Sequence, residues 1–569
     1  LPLGWDGGFT VMVGNPPWER VKLQEKEFFD DVPEIASAAN ANARKKLIKE
    51  LPASDPALWD RWVSASRQAE ATSHFLRLSG RYPLTGAGDV NTYQVFAETM
   101  RDFIAADGRS GVITPTGLAT DATTAPFFAD TLRTKRLAAF YDFENEAKIF
   151  AGVHNQFRFA ATVFARASEI RFAFYTRFIS DVPARRYALR ADEVLRLNPN
   201  TGTLPVFRSR HDAEITLGIY RRHPILVRDH APETNPWGLS FMRMFDMAND
   251  SGLFRTADWL ESEGAEFDGW AWHREGSAWL PLYEAKMLSH WDHRYASYSQ
   301  ATQAQLNKGT LPRLAPAQHD DPTCEPLARY WVDEREVLKV ARERTNGDWL
   351  FGWRDIARAS DVRTMVPSAL PLSAVGHKFP LAFSNQSIPL LHAAWSSLTF
   401  DYVARQKLSG TGMTYFILKQ LACPTPDTFA ATPAWLDHGL SDWILPRVLE
   451  LTYTSYRIAG YARDMGDDGE PFRWIPERRE AIRAELDAAM MHVYGLQRDE
   501  TEQVLDSFPV LRKYEERDHG EFRTKRLVLE YYDAMTTAAE TGQPYETPID
   551  PPPGEGPRHP ARTNEGNAT

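Results

Sequence analysis

Apolar residues first cluster in the run Phe9-Thr10-Val11-Met12-Val13, which stops at Gly14 and gives way to Asn15-Pro16-Pro17-Trp18. A short apolar run closed by glycine predicts a buried strand leaving a sheet. From Glu19 to about Gly88 the pattern turns charged and helical, as in Asn42 to Ile48 and Trp59 to Trp62, and predicts a solvated helical insertion or a lid. Over Asp89 to Ile104, the residues Tyr93, Phe96, Ala97, Met100 and Ile104 recur at helical spacing. A turn at Gly108 to Gly111 then leads into a short strand closed by Thr114-Pro115. Next come a helix near Ala125 to Thr134, a strand over Leu137 to Phe143, the apolar pair Ile149-Phe150 and an apolar run from Phe157 to Phe164. Strand, helix, strand, helix, strand, strand is the order of the second half of a doubly wound α/β sheet.

Beyond residue 180 the pattern is less regular. Tryptophans at 237, 259, 270, 272, 279 and 291 predict a packed, connecting α+β region over 181–330. Within 331–430 a helix is predicted from Ile388 to Arg405, with Leu391, Trp395, Leu398 and Tyr402 on one stripe. A basic, glycine-punctuated loop from Arg405 to Gly412 follows, and order returns at Tyr415 to Leu421. Residues 431–546 read as helical. Their clearest helix opens at Pro476 with Glu477 in its first turn, places Ile482, Leu486, Met490 and Val493 on one face, and stops at Gly495. Pro551-Pro552-Pro553-Gly554 and the polar residues around it predict a disordered tail over 547–569.

With 569 residues, 43% of them hydrophobic and 12% aromatic, the chain has room for three or four domains with substantial cores. Nothing reads as a signal peptide, and no apolar run approaches the roughly 18 to 20 residues of a membrane span, so a soluble cytoplasmic protein is expected. Cys324 and Cys423 form no CxxC, which speaks against a disulfide framework or a zinc cage. A net charge of -11 means that contact with nucleic acid would need a local basic groove on an acidic body.

The chemistry concentrates after the first strand. Asn15 to Trp18 bring a carboxamide oxygen, a carbonyl that proline geometry keeps out of a ladder, and an aromatic face to the carboxyl end of a strand, where open α/β sheets place ligands. That set suits an amino group on a flat ring. The lone pair of adenine N6 is delocalised into the ring, which makes it a poor nucleophile. Two acceptors, the Asn15 side-chain oxygen and the Pro16 carbonyl, can take its hydrogens and turn the lone pair toward an incoming methyl group while Trp18 stacks on the base. Leaving the duplex costs such a base roughly a few kcal/mol, which stacking partly offsets.

Asn15-Pro16-Pro17-Trp18 resembles the catalytic motif of N6-adenine DNA methyltransferases, specifically the Eco57I-like restriction-modification methylases and the related methylases of phage-defence islands. Asp89-Val90-Asn91-Thr92-Tyr93 and Gly111-Val112-Ile113-Thr114-Pro115 stand where that family has a helix opening with Asp and aromatics, and a Gly-rich turn before a strand ending in Pro. The resemblance implies a partial Rossmann-like class I methyltransferase sheet over 1–180, with the helical insertion at 19–88, then an α+β target-recognition region and a helical carboxyl-terminal region. It implies S-adenosylmethionine as methyl donor, double-stranded DNA as substrate, catalytic roles for Asn15, Pro16, Pro17 and Trp18, and a second aromatic wall from Phe157. By the same analogy 331–430 would read DNA, with Arg405, Lys407 and Lys419 as contacts to phosphates or guanine edges. The family holds its methyl donor on strands preceding the catalytic one, which the eight residues before Phe9 cannot supply. An amino-terminal donor-binding half is therefore expected, in a longer chain or a separate subunit, and without it the catalytic strand would keep an unpaired apolar edge. Nuclease or helicase subunits of a defence system are further expected partners.

Other readings stay open. Cytosine N4 is presented to closely similar loops. The chain also fits a DNA-recognition module without activity of its own. Asp268 followed by Glu284 and Lys286 resembles a PD-(D/E)xK nuclease core, in which carboxylates bind Mg²⁺ and lysine activates water. His290 and His293 carry metal-ligating side chains, but no third ligand stands near them in sequence.

Overall fold

The computed structural model describes residues 7–38, 41–155, 157–229, 232–408 and 410–561. The chain separates into two units, Leu1–Glu214 and Ile215–Thr569. Its class is mixed α/β.

The first unit is built on a six-stranded sheet: β1 (Phe9–Gly14), β2 (Ile104–Pro115), β3 (Leu137–Glu144), β4 (Arg158–Phe164), β5 (Glu169–Thr176) and β6 (Tyr187–Arg190). Their order is β1-β2-β4-β3-β5-β6. Strands β1, β2, β3 and β5 run parallel, while β4 is inserted antiparallel between β2 and β3 and β6 lies antiparallel on β5. The turn expected at Gly108 to Gly111 is instead part of β2. Ser110 pairs with Met12 on one side and Phe164 on the other, and two ladders outweigh the local preference of glycine for a turn. Gly108 itself allows a close approach, since a Cβ there would stand 2.5 Å from the Phe9 carbonyl oxygen. The pairing of β6 on β5 carries the sheet past the division expected at residue 180. Helix Thr92–Asp102 buries Tyr93, Ala97 and Met100 as its spacing predicts, but leaves Phe96 45% exposed.

The insertion after β1 holds helices Glu25–Phe28, Pro33–Ala36, Ala41–Ser54 and Pro56–Leu78. They enclose a core of Phe29, Ile35, Ile48, Leu51 and Leu58, with Trp59 and Trp62 packed against it. Its two ends meet: Arg20 bridges to Asn91, the Val21 amide donates to the Val90 carbonyl at 3.2 Å, and the Thr92 amide to the Glu19 carbonyl at 3.0 Å.

The second unit contains two further sheets. In one, β8 (Glu266–Phe267), β9 (Trp272–Arg274), β10 (Ser277–Tyr283) and β11 (Trp331–Asp333) pair in the order β11-β10-β9-β8, with β14 (Ala374–Val375) on β10. In the other, β7 (Ser240–Met242), β12 (Trp349–Trp353), β13 (Pro367–Pro371) and β15 (Leu381–Phe383) follow the order β13-β12-β15-β7. Both sheets pair strands from either side of residue 330, so the division expected there does not exist. The single helix expected over 388–405 is two, Ile388–Ser396 and Leu398–Lys407, because Ser397 is extended and its hydroxyl accepts the Phe400 amide at 3.1 Å as a cap. Helix Pro476–Val493 forms as predicted and packs on helix Arg523–Thr541.

The tail also departs from expectation. Prolines bar it from helix, yet polar anchors hold residues up to 561 against the helices. Tyr545 donates to Glu485 at 2.8 Å, the Gly554 amide to Glu450 at 2.8 Å, and Arg558 forks onto Asp467 at 2.9 and 2.7 Å. Residues 562–569 lie outside the described residues. Among the described residues no helix is long and apolar enough to cross a membrane.

Phe29→Ala should cost the insertion about 3 to 5 kcal/mol, because the ring is fully buried. Hydrogen exchange should show amide protection lost in the insertion helices and kept in β3 and β4. In the second unit, burial pushes the imidazole of His392, stacked on Trp291 at 4.0 Å, down to about 3. A lowered histidine pKa stabilises the folded state above the ordinary value of 6.5, and that stability drains away as pH falls toward 3. Denaturant titrations across this window should show a shallower pH slope in His392→Phe than in the wild type.

Candidate active site

The site is set by where β1 ends. In the parallel ladder Gly14 lies opposite Val112, so the chain leaves the sheet beside Ile113-Thr114-Pro115. Pro16 and Pro17 then supply no donor to prolong the pairing. Gly14 passes close to helix Thr92–Asp102, where a Cβ would stand 3.3 Å from the Met100 methyl.

Two contacts pin the loop from opposite sides. The Trp18 indole N–H donates to the Ile113 carbonyl at 3.3 Å. On the helix side the Thr92 hydroxyl donates to the Pro17 carbonyl at 2.6 Å and accepts the Glu19 amide at 3.1 Å. Between these pins Asn15 is exposed and Pro16 buried. Among the described residues no hydrogen bond engages the Asn15 carboxamide or the Pro16 carbonyl.

Trp18 is the rim of an aromatic cluster. Its ring meets Phe150 edge-on at 5.3 Å and Phe159 at 6.4 Å, Phe150 meets Phe159 at 4.8 Å, and Phe159 stacks on Phe143 at 5.3 Å. Phe157 makes no ring contact with this cluster and is 53% exposed. Beneath the cluster, buried Asp142 at the end of β3 accepts from Arg158, from the Thr116 hydroxyl at 2.6 Å and from the Tyr175 amide at 3.2 Å, which ties together the ends of β2, β3, β4 and β5. Burial pushes the nearby Tyr93 phenol up to about 12 and raises the Asp121 carboxyl.

The structure therefore groups Asn15, Pro16, Pro17 and Trp18 on one pinned loop. Sequence reasoning missed Phe150, Phe159 and the Thr92 hydroxyl. The apolar pair Ile149-Phe150, isolated between two strands, was the visible signal for the first of these.

The basic residues expected to contact DNA lie differently. Residues Leu398–Lys407 are a helix buried along its whole length, not the start of a loop. Arg405 is spent on Asp401 at 2.9 Å and on the carbonyls of Asp361 and Val362 at 2.7 and 2.8 Å, with its guanidinium over the Phe508 ring. Lys407 donates to the Gln420 carbonyl at 3.0 Å above the Tyr220 ring, and burial drives its pKa well below the ordinary value. Lys419 pairs with Asp229 at 2.9 Å. Arg405 and Lys407 are structural, and neither is available to phosphate. Ser409, within the expected loop, lies outside the described residues.

The nuclease triple is not assembled. Against the cost of partial burial, Asp268 is held down to about 2 by the amides of Ala271 and Trp270 and by Arg457 at 2.9 Å. Glu284 instead accepts from Tyr298 and pairs with Lys286 at 3.2 Å. His290 bonds the Met365 carbonyl at 2.7 Å, and His293 meets Glu325 at 3.2 Å. Among the described residues no group of three or more His, Cys, Asp or Glu side chains could hold a metal ion.

No protein-family model and no curated protein matches the chain. Solved structures it resembles include the Type IIL restriction-modification enzyme MmeI in complex with DNA, at 11% identity over 93% of this chain and 57% of that one, with a TM-score of 0.37. A DrdV–DNA complex aligns at 11% identity over 84% and 44% of the two chains, with a TM-score of 0.32. The type IIG restriction endonuclease BpuSI aligns at 11% over 74% and 51%, with a TM-score of 0.24. The chain thus spans about half the length of these structures.

Thr92→Val keeps the side-chain shape and removes the hydroxyl between Pro17 and Glu19. It should cost about 1 kcal/mol and speed exchange of the Glu19 and Val21 amides, while the β3 and β4 amides stay protected.

Proposed function

We propose that the chain carries the catalytic loop of a site-specific DNA methyltransferase that transfers a methyl group from S-adenosylmethionine to adenine N6, in a restriction-modification or phage-defence setting. One observation carries this reading: two unengaged acceptors, the Asn15 carboxamide oxygen and the Pro16 carbonyl, stand on a loop pinned beside the Trp18 ring. An extruded adenine stacking on Trp18 would offer its amino hydrogens to those acceptors, which turns the nitrogen lone pair out of conjugation. Because the loop is held at both sides, the acceptors need little reorganisation when charge develops on that nitrogen. Phe157, exposed beside the cluster, is the proposed second wall of the base pocket. The restriction-modification enzymes named above are the class in which this reading places the chain.

Among the described residues β1 has a neighbour only on its β2 side, and Phe9, Val11 and Val13 are 39, 64 and 82% exposed. The donor would be held by polypeptide docked along that open edge, in the same protein or in another subunit. That open edge is also what favours a second reading, in which the chain is a DNA-engaging module without activity of its own.

Labelled S-adenosylmethionine and adenine-bearing duplex DNA, given to the protein in its natural assembly, should yield labelled N6-methyladenine. Asn15→Ala should lower transfer by about 10²- to 10³-fold, the scale on which a preorganised polar contact acts at a transition state. Transfer at an unchanged rate in that variant would refute the role of Asn15. Duplex binding with no transfer in any assembly would leave the recognition-module reading standing alone.

A further inference from the structure

Two loops leave the carboxyl end of the first unit's sheet side by side, 145–157 after β3 and 177–186 after β5. Arg177 clasps them together, reaching Glu144 at 3.4 Å and Glu146 at 2.6 Å, while the Asn145 amide between those acids donates to the Phe157 carbonyl at 3.1 Å. The loop after β5 is also braced from within. The Asp181 carboxylate accepts the amides of Arg177 and Phe178, both at 3.0 Å. These braces hold out an apolar tip: Phe178 is 56% and Ile179 80% exposed, with Ile149 and Phe157 about half exposed on the neighbouring loop. Large apolar side chains presented together on a stiffened turn mark a surface that a partner covers.

The charge around the tip says which partner. Glu144, Glu146 and Asp181, the acids beside it, are engaged as described, and the amides of Phe178 and Arg177, with smaller help from Arg185, hold the Asp181 carboxyl below its ordinary value. Lys148, Arg185, Arg186 and Arg208 are exposed, and among the described residues none of the four has a side-chain hydrogen bond or ion pair. Arg208 rests on the face of the Tyr175 ring at 4.9 Å, a contact that leaves its N–H groups free. Tyr175, near the end of β5, holds that ring in place from a backbone φ of 55°, which an aromatic residue seldom adopts. On a chain of net charge -11, four unpaired cations around an apolar tip fit a polyanion with an apolar interior. Duplex DNA is such a partner, with phosphates outside and stacked bases within.

We infer that this rim is a DNA contact surface, on which Lys148, Arg185, Arg186 and Arg208 meet phosphates and the Phe178-Ile179 tip enters the base stack. The inference rests on the methyltransferase reading above and deepens it: Phe157 would face the extruded base, and the tip across the Asn145 segment would fill the gap that the base leaves. A wedge of this kind must be apolar, to replace stacking, and rigid, to push bases apart without folding back. The Asp181 and Arg177 braces supply the second property.

The test reads binding of the whole chain to fluorescent blunt duplexes, one fully paired and one lacking a single central base, across a series of salt concentrations. Wild type should bind the base-lacking duplex at least about tenfold more tightly, because the tip then enters without unstacking a base. Phe178→Ser combined with Ile179→Ser should abolish that preference and leave the salt dependence intact. Arg185→Gln combined with Arg186→Gln, and separately Arg208→Gln, should keep the preference and reduce the slope of log affinity against log salt by about 0.9 for each cation removed. All five positions are exposed, so the unfolding midpoints of these variants should stay near that of the wild type. No binding to either duplex, an equal preference in wild type and the serine variant, or unchanged slopes would overturn the inference. Methyl transfer in the natural assembly is scored separately: its absence with these binding effects intact would sink the catalytic role of the Asn15 loop and leave this surface in place.

Discussion

The candidate site depends on the parallel pairing of β1 on β2. That ladder decides where the loop from Asn15 to Trp18 begins, because it runs out at Gly14, with only Asn15 before Pro16 and Pro17 remove two donors. A shift of one residue would turn every side chain of β1 to the opposite face and carry the loop away from Ile113, whose carbonyl holds Trp18. The helix side obeys the same constraint. Met100 lies close to Gly14, and a Cβ there would stand 3.3 Å from its methyl. Strand register, the loop and the aromatic rim are thus one arrangement with several witnesses.

Much of this was legible in the sequence because it rests on local rules. Apolar runs marked β1, β3 and β4, helical spacing marked Thr92–Asp102, and the proline pair marked the end of β1. What the sequence hid were outcomes decided by partners distant in the chain. Gly108 to Gly111 have turn chemistry, yet two neighbouring strands pull them straight. Phe157 and Phe159 are equivalent in a hydropathy pattern, and only the fold shows that Phe159 supports Trp18 while Phe157 stands in solvent. Ser397 breaks what periodicity alone makes one helix.

The second unit shows why charge in a sequence says little about where charge is used. Arg405 and Lys407 look like surface cations, but both lie in a buried helix and spend their donors on backbone carbonyls that fix neighbouring loops. Arg294 does the same, fully buried, with donors to the carbonyls of His319, Asp321, Cys324 and Thr454. In each case an arginine or lysine substitutes for the secondary structure that irregular segments lack, satisfying carbonyls that would otherwise be buried unpaired. Basic residues are therefore part of the scaffold of an acidic protein, and its regions of irregular backbone are where they are needed.

The two ends of the helical insertion meet at Arg20 and Asn91, next to the Thr92 hydroxyl that steadies the loop. The excursion is closed at its own neck and is also seated on the helix that steadies the loop, because Leu76 packs with Val90 and Val95 and the Thr85 amide donates to Glu98 at 3.0 Å. Its outer core of Phe29, Ile35, Ile48, Leu51 and Leu58 is separate from those contacts. Such a lobe behaves as a cartridge. Selection can rework what it touches while Asn15 and Trp18 keep their positions.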